Sequence, residues 1–378
     1  MFRLYTLVIL LHACVGWRLL PDLRMFGGAW AAGLGAWLAL SAALMPQALF
    51  ARRKVHRALS DGLVWGGAIA MGSFSSLFVL TLVRDAGLLA THAFDFATGG
   101  TIPVAILQHW SAAAVPAVAA ALTAVGMFNA RRRAVVLPVD VAIAGLPSAL
   151  HGFTIAQISD VHVGPTIRRK YVDAIVDAVN GLEADMIAIT GDLVDGSVAQ
   201  LSPHTAPLAR LASRHGSYFV TGNHEYYSGV GGWLTELERL GVRVLMNEHV
   251  VLDHAGASVV VAGVTDFSAH SYHESHRSDP AGALAGAPAA AVRMLLAHQP
   301  RSAFLAESAG YDLQLSGHTH GGQFWPWNFF VRLQQPFTAG LRRLGRLWVY
   351  TSRGTGYWGP PTRLGAPSEI THLRLVPA

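Results

Sequence analysis

The sequence has few charged residues and a single cysteine. Asp, Glu, Lys and Arg make up 13% of its 378 residues, well below the ~25% that is typical of soluble domains. The shortage lies in residues 1–130, whereas residues 131–378 have the composition of an ordinary globular domain. The lone Cys14 excludes an intramolecular disulfide and a cysteine-rich zinc site. We therefore expect a membrane domain over 1–130, followed by one soluble domain over 131–378.

Long uncharged runs predict about four transmembrane helices, because ~20 helical residues cross the ~30 Å core of a bilayer. The runs cover residues 4–17, 26–51, 62–83 and 96–130. The first reaches spanning length only if residues 18–20 are added, and its start also fits the core of a cleaved signal peptide. The runs contain no Asp, Glu, Lys or Arg and are rich in small residues. We expect a compact helix bundle that serves as an anchor rather than a transport path.

The basic residues of the short loops predict the orientation of this bundle. One side collects Arg3, Arg52, Arg53, Lys54, Arg57 and the three arginines at 131–133, and the other has only Arg18, Arg24 and Arg84. Basic loops stay in the cytoplasm, so the soluble domain is expected there. The net charge of +5 is clustered beside apolar runs, which favours a membrane surface over nucleic acid as partner. No obligate protein partner is indicated.

Strands and helices alternate early in the soluble part, and strands dominate late, which predicts an α/β fold of sheets flanked by helices. The β-branched run VVLPVDVAIAG predicts an edge strand, since it contains Pro138. Apolar residues at helical spacing after position 168 predict a helix that ends near Asn180-Gly181.

Metal-ligand side chains follow five short apolar runs that are typical of buried strands. The runs are FTIAQIS, DMIAIT, SYFVT, RMLLA and YDLQLS, and the side chains that follow them are Asp160, His162, Asp192, Asn223, His224, His298, His318 and His320. Ligands gather at the carboxyl ends of strands in α/β folds, so these residues can converge. Carboxylate, amide and imidazole ligands without a thiolate suit manganese, iron or zinc.

The motifs around these residues resemble those of the calcineurin-like metallophosphoesterase family. The pattern D-x-H, G-D-x-x-D/G, G-N-H-E/D, a lone H and G-H-x-H occurs in order over roughly residues 150–375, as DVH, GDLVDG, GNHE, His298 and GHTH. Five ordered motifs, each after a strand, are far more specific than one. The resemblance implies a four-layer αββα sandwich, here preceded by the transmembrane helices.

The resemblance also implies a role for each residue. Asp160, His162 and His320 would bind one divalent ion, Asn223, His298 and His318 a second, and Asp192 would bridge both. Manganese is the expected metal, with iron or zinc as alternatives. A hydroxide between the two ions would attack phosphorus, and His224 would face the leaving-group oxygen. Taken alone, a histidine such as His298 is more often structural.

Other polar residues near the motifs have simpler interpretations. Asp195 fits a local turn or cap, and Glu225 fits a residue that orients a ligand. His270, His273 and His276 lie in the polar stretch HSYHESH, which is typical of a solvated or substrate-facing loop.

The segment after the last motif bears on the substrate. From 324 to 367 it has six arginines, no Asp or Glu, and the aromatic run FWPWNFF. Such a segment could rest among lipid headgroups, or its aromatics could complete the core. We expect Arg332 or Arg353 to contact a substrate phosphate.

This segment and the membrane spans resemble those of one subgroup of the family, the membrane-anchored bacterial phosphodiesterases. The subgroup includes UDP-2,3-diacylglucosamine pyrophosphatase-like enzymes of lipid A biosynthesis. The implied protein is a multi-pass enzyme of the bacterial inner membrane that hydrolyses a lipid-linked or nucleotide-linked phosphodiester or pyrophosphate. A general anchored phosphodiesterase or nuclease, and a non-catalytic membrane scaffold, are the alternatives.

Overall fold

The computed structural model describes residues 2–50 and 57–378. The chain forms two compact units, one of Met1–Asn129 with Gly359–Thr362 and the other of Ala130–Trp358 with Arg363–Ala378.

The first unit is helical. Its helices are α1 Phe2–Leu23, α2 Gly28–Leu44, α3 Gln47–Phe50, α4 Arg57–Thr98 and α5 Val104–Arg131. In the described part of the chain, three stretches have the length and apolar composition to cross a membrane, namely Phe2–Phe26, Leu59–Thr98 and Val104–Arg131. Helix α2, at 17 residues, is shorter than these.

The helix boundaries differ from the predicted runs in two places. The run predicted over 26–51 is interrupted around Pro46, with α2 ending at Leu44 and α3 beginning at Gln47, since proline has no backbone N–H to donate within a helix. The run predicted over 96–130 is split, because α4 continues to Thr98 and stops at Gly99 and Gly100, both with positive φ. The basic loop residues Arg52, Arg53 and Lys54 lie outside the described residues.

Two arginines that the sequence suggested as loop charges lie inside helices. Arg84 is buried within α4, donates to Asp22 and Asp85, and donates through Nε to Ser111 Oγ at 3.0 Å. Arg18 of α1 pairs with Asp85, with Nε to Oδ2 at 2.8 Å. A buried ion pair is tolerated only when its polar atoms are paired this fully. The network therefore joins α1, α4 and α5.

The second unit contains two six-stranded sheets. The first has the order β1-β12-β2-β3-β4-β5 and the second β10-β11-β9-β8-β7-β6. The strands of the first sheet are β1 Val135–Ile143, β2 Thr154–Ile158, β3 Met186–Ile189, β4 Ser217–Phe219, β5 Val242–Val244 and β12 Glu369–Pro377. Those of the second are β6 Glu248–His254, β7 Ala257–Gly263, β8 Val292–Leu296, β9 Leu313–Ser316, β10 Gly340–Leu344 and β11 Leu347–Thr351.

The two sheets pack face to face and carry helices on their outer faces. The outer helices are α6 Arg169–Asn180, α7 Val198–Thr205, α9 Val230–Arg239 and α10 Ala303–Ala309, and the unit also contains the short helices α8 Asn223–Ser228 and α11 Trp327–Phe330. The central core joins Ile155 of β2 to Met294 of β8. Ile187 packs with Val176 of α6 in the core outside the first sheet, and Leu295 packs with α10 outside the second. The predicted αββα arrangement is confirmed.

Parallel pairing brings the ends of several strands to one edge of each sheet. Strands β2, β3 and β4 run parallel, as do β8 and β9. The candidate ligands begin two to four residues beyond these strand ends, at Asp160, Asp192, Asn223, His298 and His318. The topology therefore delivers residues that are distant in sequence to neighbouring loops.

Candidate metal centre

Three overlapping groups of side chains offer ligand atoms that lie within 4.8 Å of one another. The groups are Asp160 with His162 and His320, His162 with Asp192 and His224, and Asp192 with His298 and His318. Because Asp192 and His162 each belong to two groups, the three form one continuous site. Six of the predicted metal ligands therefore meet at one place.

The backbone at this site adopts an unfavourable conformation. Positive φ angles of 50–70° occur at Asp160, His162, Asp192, His318 and His320. These are five of the nine non-glycine residues with positive φ in the described ranges. Each costs free energy that the surrounding structure has to offset, and such residues cluster at functional sites.

Two glycines allow the carboxylates to approach the neighbouring loops. A Cβ at Gly222 would clash with Asp192, and one at Gly317 would clash with Asp160 and Ser159. The glycines of GNHE and GHTH are thus required by packing around the ligands.

Hydrogen bonds orient His298 toward the centre. Its Nδ1 donates to the Thr190 carbonyl at 2.7 Å, so Nε2 faces Asp192 Oδ2 at 3.2 Å and His318 Nδ1 at 3.2 Å. Burial and the charge of His298 lower the pKa of His318 to about 3, which keeps that ring neutral. Neutral imidazoles are the form that binds a metal.

His162 and His320 form a second imidazole pair, with 3.0 Å between their Nε2 atoms. Arg363 donates to His320 Nδ1 at 3.0 Å, and burial together with the Arg363 charge lowers the pKa of His320. A neutral ring that accepts at Nδ1 carries its proton on Nε2. His320 can therefore offer Nε2 to a cation only after this proton has left or the contact with Arg363 has changed.

Asp195 binds both His162 and His224, a role that the sequence analysis missed. Its Oδ1 accepts from His162 Nδ1 at 3.1 Å and from His224 Nδ1 at 2.5 Å. Burial alone would raise the pKa of Asp195, but the two histidines hold it well below its ordinary value. The last position of the motif GDLVD was the available signal.

His224 lies at the mouth of the centre, with its Nε2 3.9 Å from Asp192 Oδ2. Its side chain is 15% exposed, whereas those of His162 and His298 are at most 1% exposed. Burial lowers the pKa of His224, but the charges of Asp192 and Asp195 outweigh it and raise the pKa to about 9. The ring is therefore a cation at neutral pH that can donate a hydrogen bond.

Glu225 hydrogen-bonds to the backbone of the two loops that carry Asp192 and Asn223. Its carboxylate accepts from the backbone N–H groups of Gly222, Asp192 and Leu193 at 2.7, 3.0 and 2.8 Å. Burial and the Asp192 charge raise its pKa to about 8, against the stabilising effect of the three donors. Glu225 thus ties the Asp192 loop to the Asn223 loop.

The donor set fits divalent cations. Asn223 Oδ1 is buried and has no hydrogen-bond partner among the described residues, a situation that costs ~1–3 kcal/mol unless something binds it. Two carboxylates, this amide oxygen and four imidazoles suit manganese, iron or zinc. A cation would displace the protons on the Nε2 atoms of His298 and His320, which face Asp192 and His162 in this structure.

The two predicted phosphate contacts differ in their surroundings. Arg353 donates through Nε to the buried Glu369 at 2.6 Å, and its stem lies against Gly321, next to His320. Arg332 is exposed on the turn Val331–Leu333. Arg353 is therefore beside the centre, with part of its charge already paired.

Known proteins share this site region. The family model for calcineurin-like phosphoesterase matches residues 153–322, which include all eight predicted centre residues. A bovine (Bos taurus) "transmembrane protein with metallophosphoesterase domain" is 42% identical over 268 residues, 68% of this chain and 60% of the relative. An "uncharacterized metallophosphoesterase" of Aquifex aeolicus is 34% identical over 219 residues, 57% of this chain and 82% of the relative.

The chain thus spans about 60% of the length of the bovine relative and more than two thirds of the Aquifex one. Among solved structures, Haemophilus influenzae NAD nucleotidase aligns with 16% identity over 54% of this chain and 51% of that chain, at a TM-score of 0.39. So low a score adds nothing to the assignment.

Replacing Asp195 tests whether it orients the metal ligands. We expect Asp195→Asn to weaken Mn²⁺ affinity about 10- to 100-fold, the usual loss when a carboxylate that supports a histidine ligand is removed. The amide keeps one oxygen but lacks the negative charge that holds the two Nδ1–H groups on Oδ1. Calorimetric titration of the metal-free protein measures the affinity. Asp253→Asn, at an exposed position near the end of β6, is the matched control, and an unchanged affinity in Asp195→Asn would contradict the role.

Proposed function

Since this chain belongs to the calcineurin-like metallophosphoesterase family, we propose that it hydrolyses phosphodiester or pyrophosphate bonds with two divalent cations. The observation that carries the proposal is the three overlapping ligand groups, in each of which the ligand atoms lie within 4.8 Å of one another. Asp160, His162 and His320 would hold one cation, and Asn223, His298 and His318 the other. Asp192, shared between two groups, would bind both. Manganese fits this mixed oxygen and nitrogen set best, with iron or zinc as alternatives.

When bound, two such cations supply Lewis-acid polarisation of phosphate oxygens and a lowered pKa for water. The protein's own groups have separate tasks. The Asp192 charge offsets the repulsion between neighbouring cations. His224 donates its Nε2 proton to the leaving-group oxygen, while Asp195 holds the opposite nitrogen at 2.5 Å. Glu225 keeps the two ligand loops in register.

Two substitutions separate metal binding from proton donation. We expect His224→Ala to lower kcat on a chromogenic phosphodiester about 10²- to 10⁴-fold while the bound metal is retained. Asp192→Asn should lose both metal and activity, because the shared ligand is gone. Activity with added Mn²⁺ and metal analysis of the pure protein give the two readouts.

The control for these variants is His92→Ala, which replaces an exposed histidine of α4 and should leave both readouts unchanged. A wild-type protein that binds no transition metal and shows no metal-stimulated hydrolysis would refute the enzyme and leave the scaffold alternative. Preferred cleavage of DNA or RNA would favour the anchored nuclease.

We further propose that the substrate is lipid-linked, such as a UDP-diacylglucosamine-type lipid A precursor. The support is an apolar surface formed by Trp325, Trp327, Phe329, Phe330 and Leu333, which begins five residues after His320. Phe329 is 61% and Leu333 is 85% exposed, so these side chains do not complete the core. Arg332 lies within the same stretch and could contact a headgroup phosphate. The chain also carries helices that could hold it in a membrane.

Removing this apolar surface tests the lipid substrate. We expect Phe329→Ser/Phe330→Ser/Leu333→Ser to raise KM for a lipid pyrophosphate in mixed micelles at least about tenfold, since burying one large apolar side chain contributes ~1.5–3 kcal/mol. KM for a small soluble diester should not change. Phe304→Ser, at an exposed site on α10, is the control. A wild-type enzyme that cleaves soluble mononucleotides and ignores every lipid diester would contradict this proposal.

We also propose that the phosphoesterase unit faces the cytoplasm at the inner membrane of a bacterial cell. The support is the excess of basic residues at 52–57 and 131–133. In that orientation, protease added to intact spheroplasts leaves an epitope tag after Ala378 uncut, and lysis exposes the tag to digestion. Digestion in intact spheroplasts would reverse the orientation.

A further inference from the structure

Two exposed aromatic rings flank His224 and a third packs against one of them, and none of the roles assigned above uses these rings. The Tyr227 ring lies 5.1 Å and the Trp358 ring 6.0 Å from the imidazole of His224, between ring centroids. Tyr272 lies 5.7 Å from Tyr227. Tyr227, Tyr272 and Trp358 are 59%, 49% and 47% exposed. Large aromatic surface left in water beside a polar centre is typical of a ligand-binding surface.

The structure holds these rings in place although they are exposed. The buried side chain of Gln323 accepts from the Trp358 backbone N–H at 2.9 Å and donates to its carbonyl at 2.9 Å. Tyr227 lies on helix α8, which begins at Asn223. A surface that is already ordered loses little conformational entropy when a ligand binds.

The third ring, Tyr272, lies in the polar stretch HSYHESH. Tyr272 packs against Tyr226, with 5.7 Å between centroids, and the Tyr226 hydroxyl contacts His276 Nδ1 at 3.0 Å. The HSYHESH stretch thus positions an aromatic ring near the centre, which agrees with the substrate-facing alternative for this loop.

We propose that Tyr227, Tyr272 and Trp358 form a binding site for the flat ring of a nucleobase carried by the leaving group. The inference rests on the proposed function, in which His224 faces the leaving-group oxygen. Rings around His224 then lie on the leaving-group side of the scissile bond. Aromatic side chains stack on bases of any sequence, and the two tyrosine hydroxyls can hydrogen-bond base edges. An acyl chain would gain nothing from those hydroxyls.

The experiment compares two competitive inhibitors that share a sugar phosphate and differ in the base. UMP and ribose 5-phosphate are tested against hydrolysis of methyl 4-nitrophenyl phosphate by the full chain in detergent with Mn²⁺. We expect UMP to inhibit about tenfold more strongly, which is within the range measured for one stacked base. Tyr227→Ala, Tyr272→Ala and Trp358→Ala should bring the ratio of the two inhibition constants towards one, while inhibition by ribose 5-phosphate stays the same.

Two variants serve as controls. Trp358→Phe should keep most of the preference for UMP, because it retains a stacking ring, and Phe304→Ala, an exposed aromatic on α10, should keep all of it. Equal inhibition by UMP and ribose 5-phosphate in the wild type would overturn the inference, as would a ratio that survives all three alanine substitutions. A third inhibitor, dihexanoyl phosphatidic acid, tests for an acyl-chain site. If the alanine variants weaken its binding and leave that of UMP unchanged, the rings bind an acyl chain instead.

These outcomes are separate from failure of the proposed function. If the reporter is hydrolysed and UMP has no advantage, the phosphoesterase stands and the nucleobase site does not. If the reporter is not hydrolysed at all, the phosphoesterase fails. Equilibrium dialysis with labelled UMP and ribose 5-phosphate then tests the aromatic site directly, and equal binding would overturn it.

Discussion

Two imidazole nitrogens can lie about 3 Å apart only when a proton or a cation is shared between them. The described residues contain three such pairs, and two of them lie at this centre, His162 with His320 and His298 with His318. Both pairs are next to buried carboxylates, and three of the four rings are themselves buried, His318 being partly exposed. In such surroundings an unpaired charge or lone pair is costly. The rest of the centre can be understood as the structure needed to hold these four rings where a cation would stabilise them.

The backbone that holds these rings is locally unfavourable. Five residues of the centre adopt positive φ, and Gly222 and Gly317 leave space that any side chain would fill. Hydrogen bonds and the two sheets offset the free-energy cost of this backbone conformation. Glu225 accepts three backbone hydrogen bonds, and the two six-stranded sheets fix the strand ends from which the loops emerge. Strained loops on a rigid scaffold are the usual arrangement for a preorganised site.

Much of the second unit could be predicted because its signals are local. Short apolar runs gave the central strands, the β-branched run with Pro138 is the edge strand β1, and helix α6 ends at Asn180 as expected. The residues that follow the strands do converge, because parallel pairing fixes where strand ends lie. The assignment of each ligand to a particular cation stays a prediction.

The features that were not predicted depend on contacts between distant residues. Asp195 looked like a turn residue because nothing in its neighbourhood shows that His162 and His224 approach the same oxygen. Arg84 looked like a loop charge, because its partner Asp22 lies 62 positions away in another helix. Likewise, only the folded chain shows that Phe330 is exposed rather than part of the core. Sequence patterns report periodicity and spacing, and they do not report which partner satisfies a buried charge.

The two proposed substrate contacts adjoin different residues of the centre. The rings of Tyr227 and Trp358 adjoin His224, which would face the departing group. The apolar surface of residues 325–333 instead follows His320, a ligand whose group does not include His224. A substrate that reaches both must therefore have two dissimilar ends joined by the scissile phosphate. A pyrophosphate between a nucleoside and a lipid meets this requirement, whereas a symmetric phospholipid or a plain nucleic-acid strand would leave one surface unused.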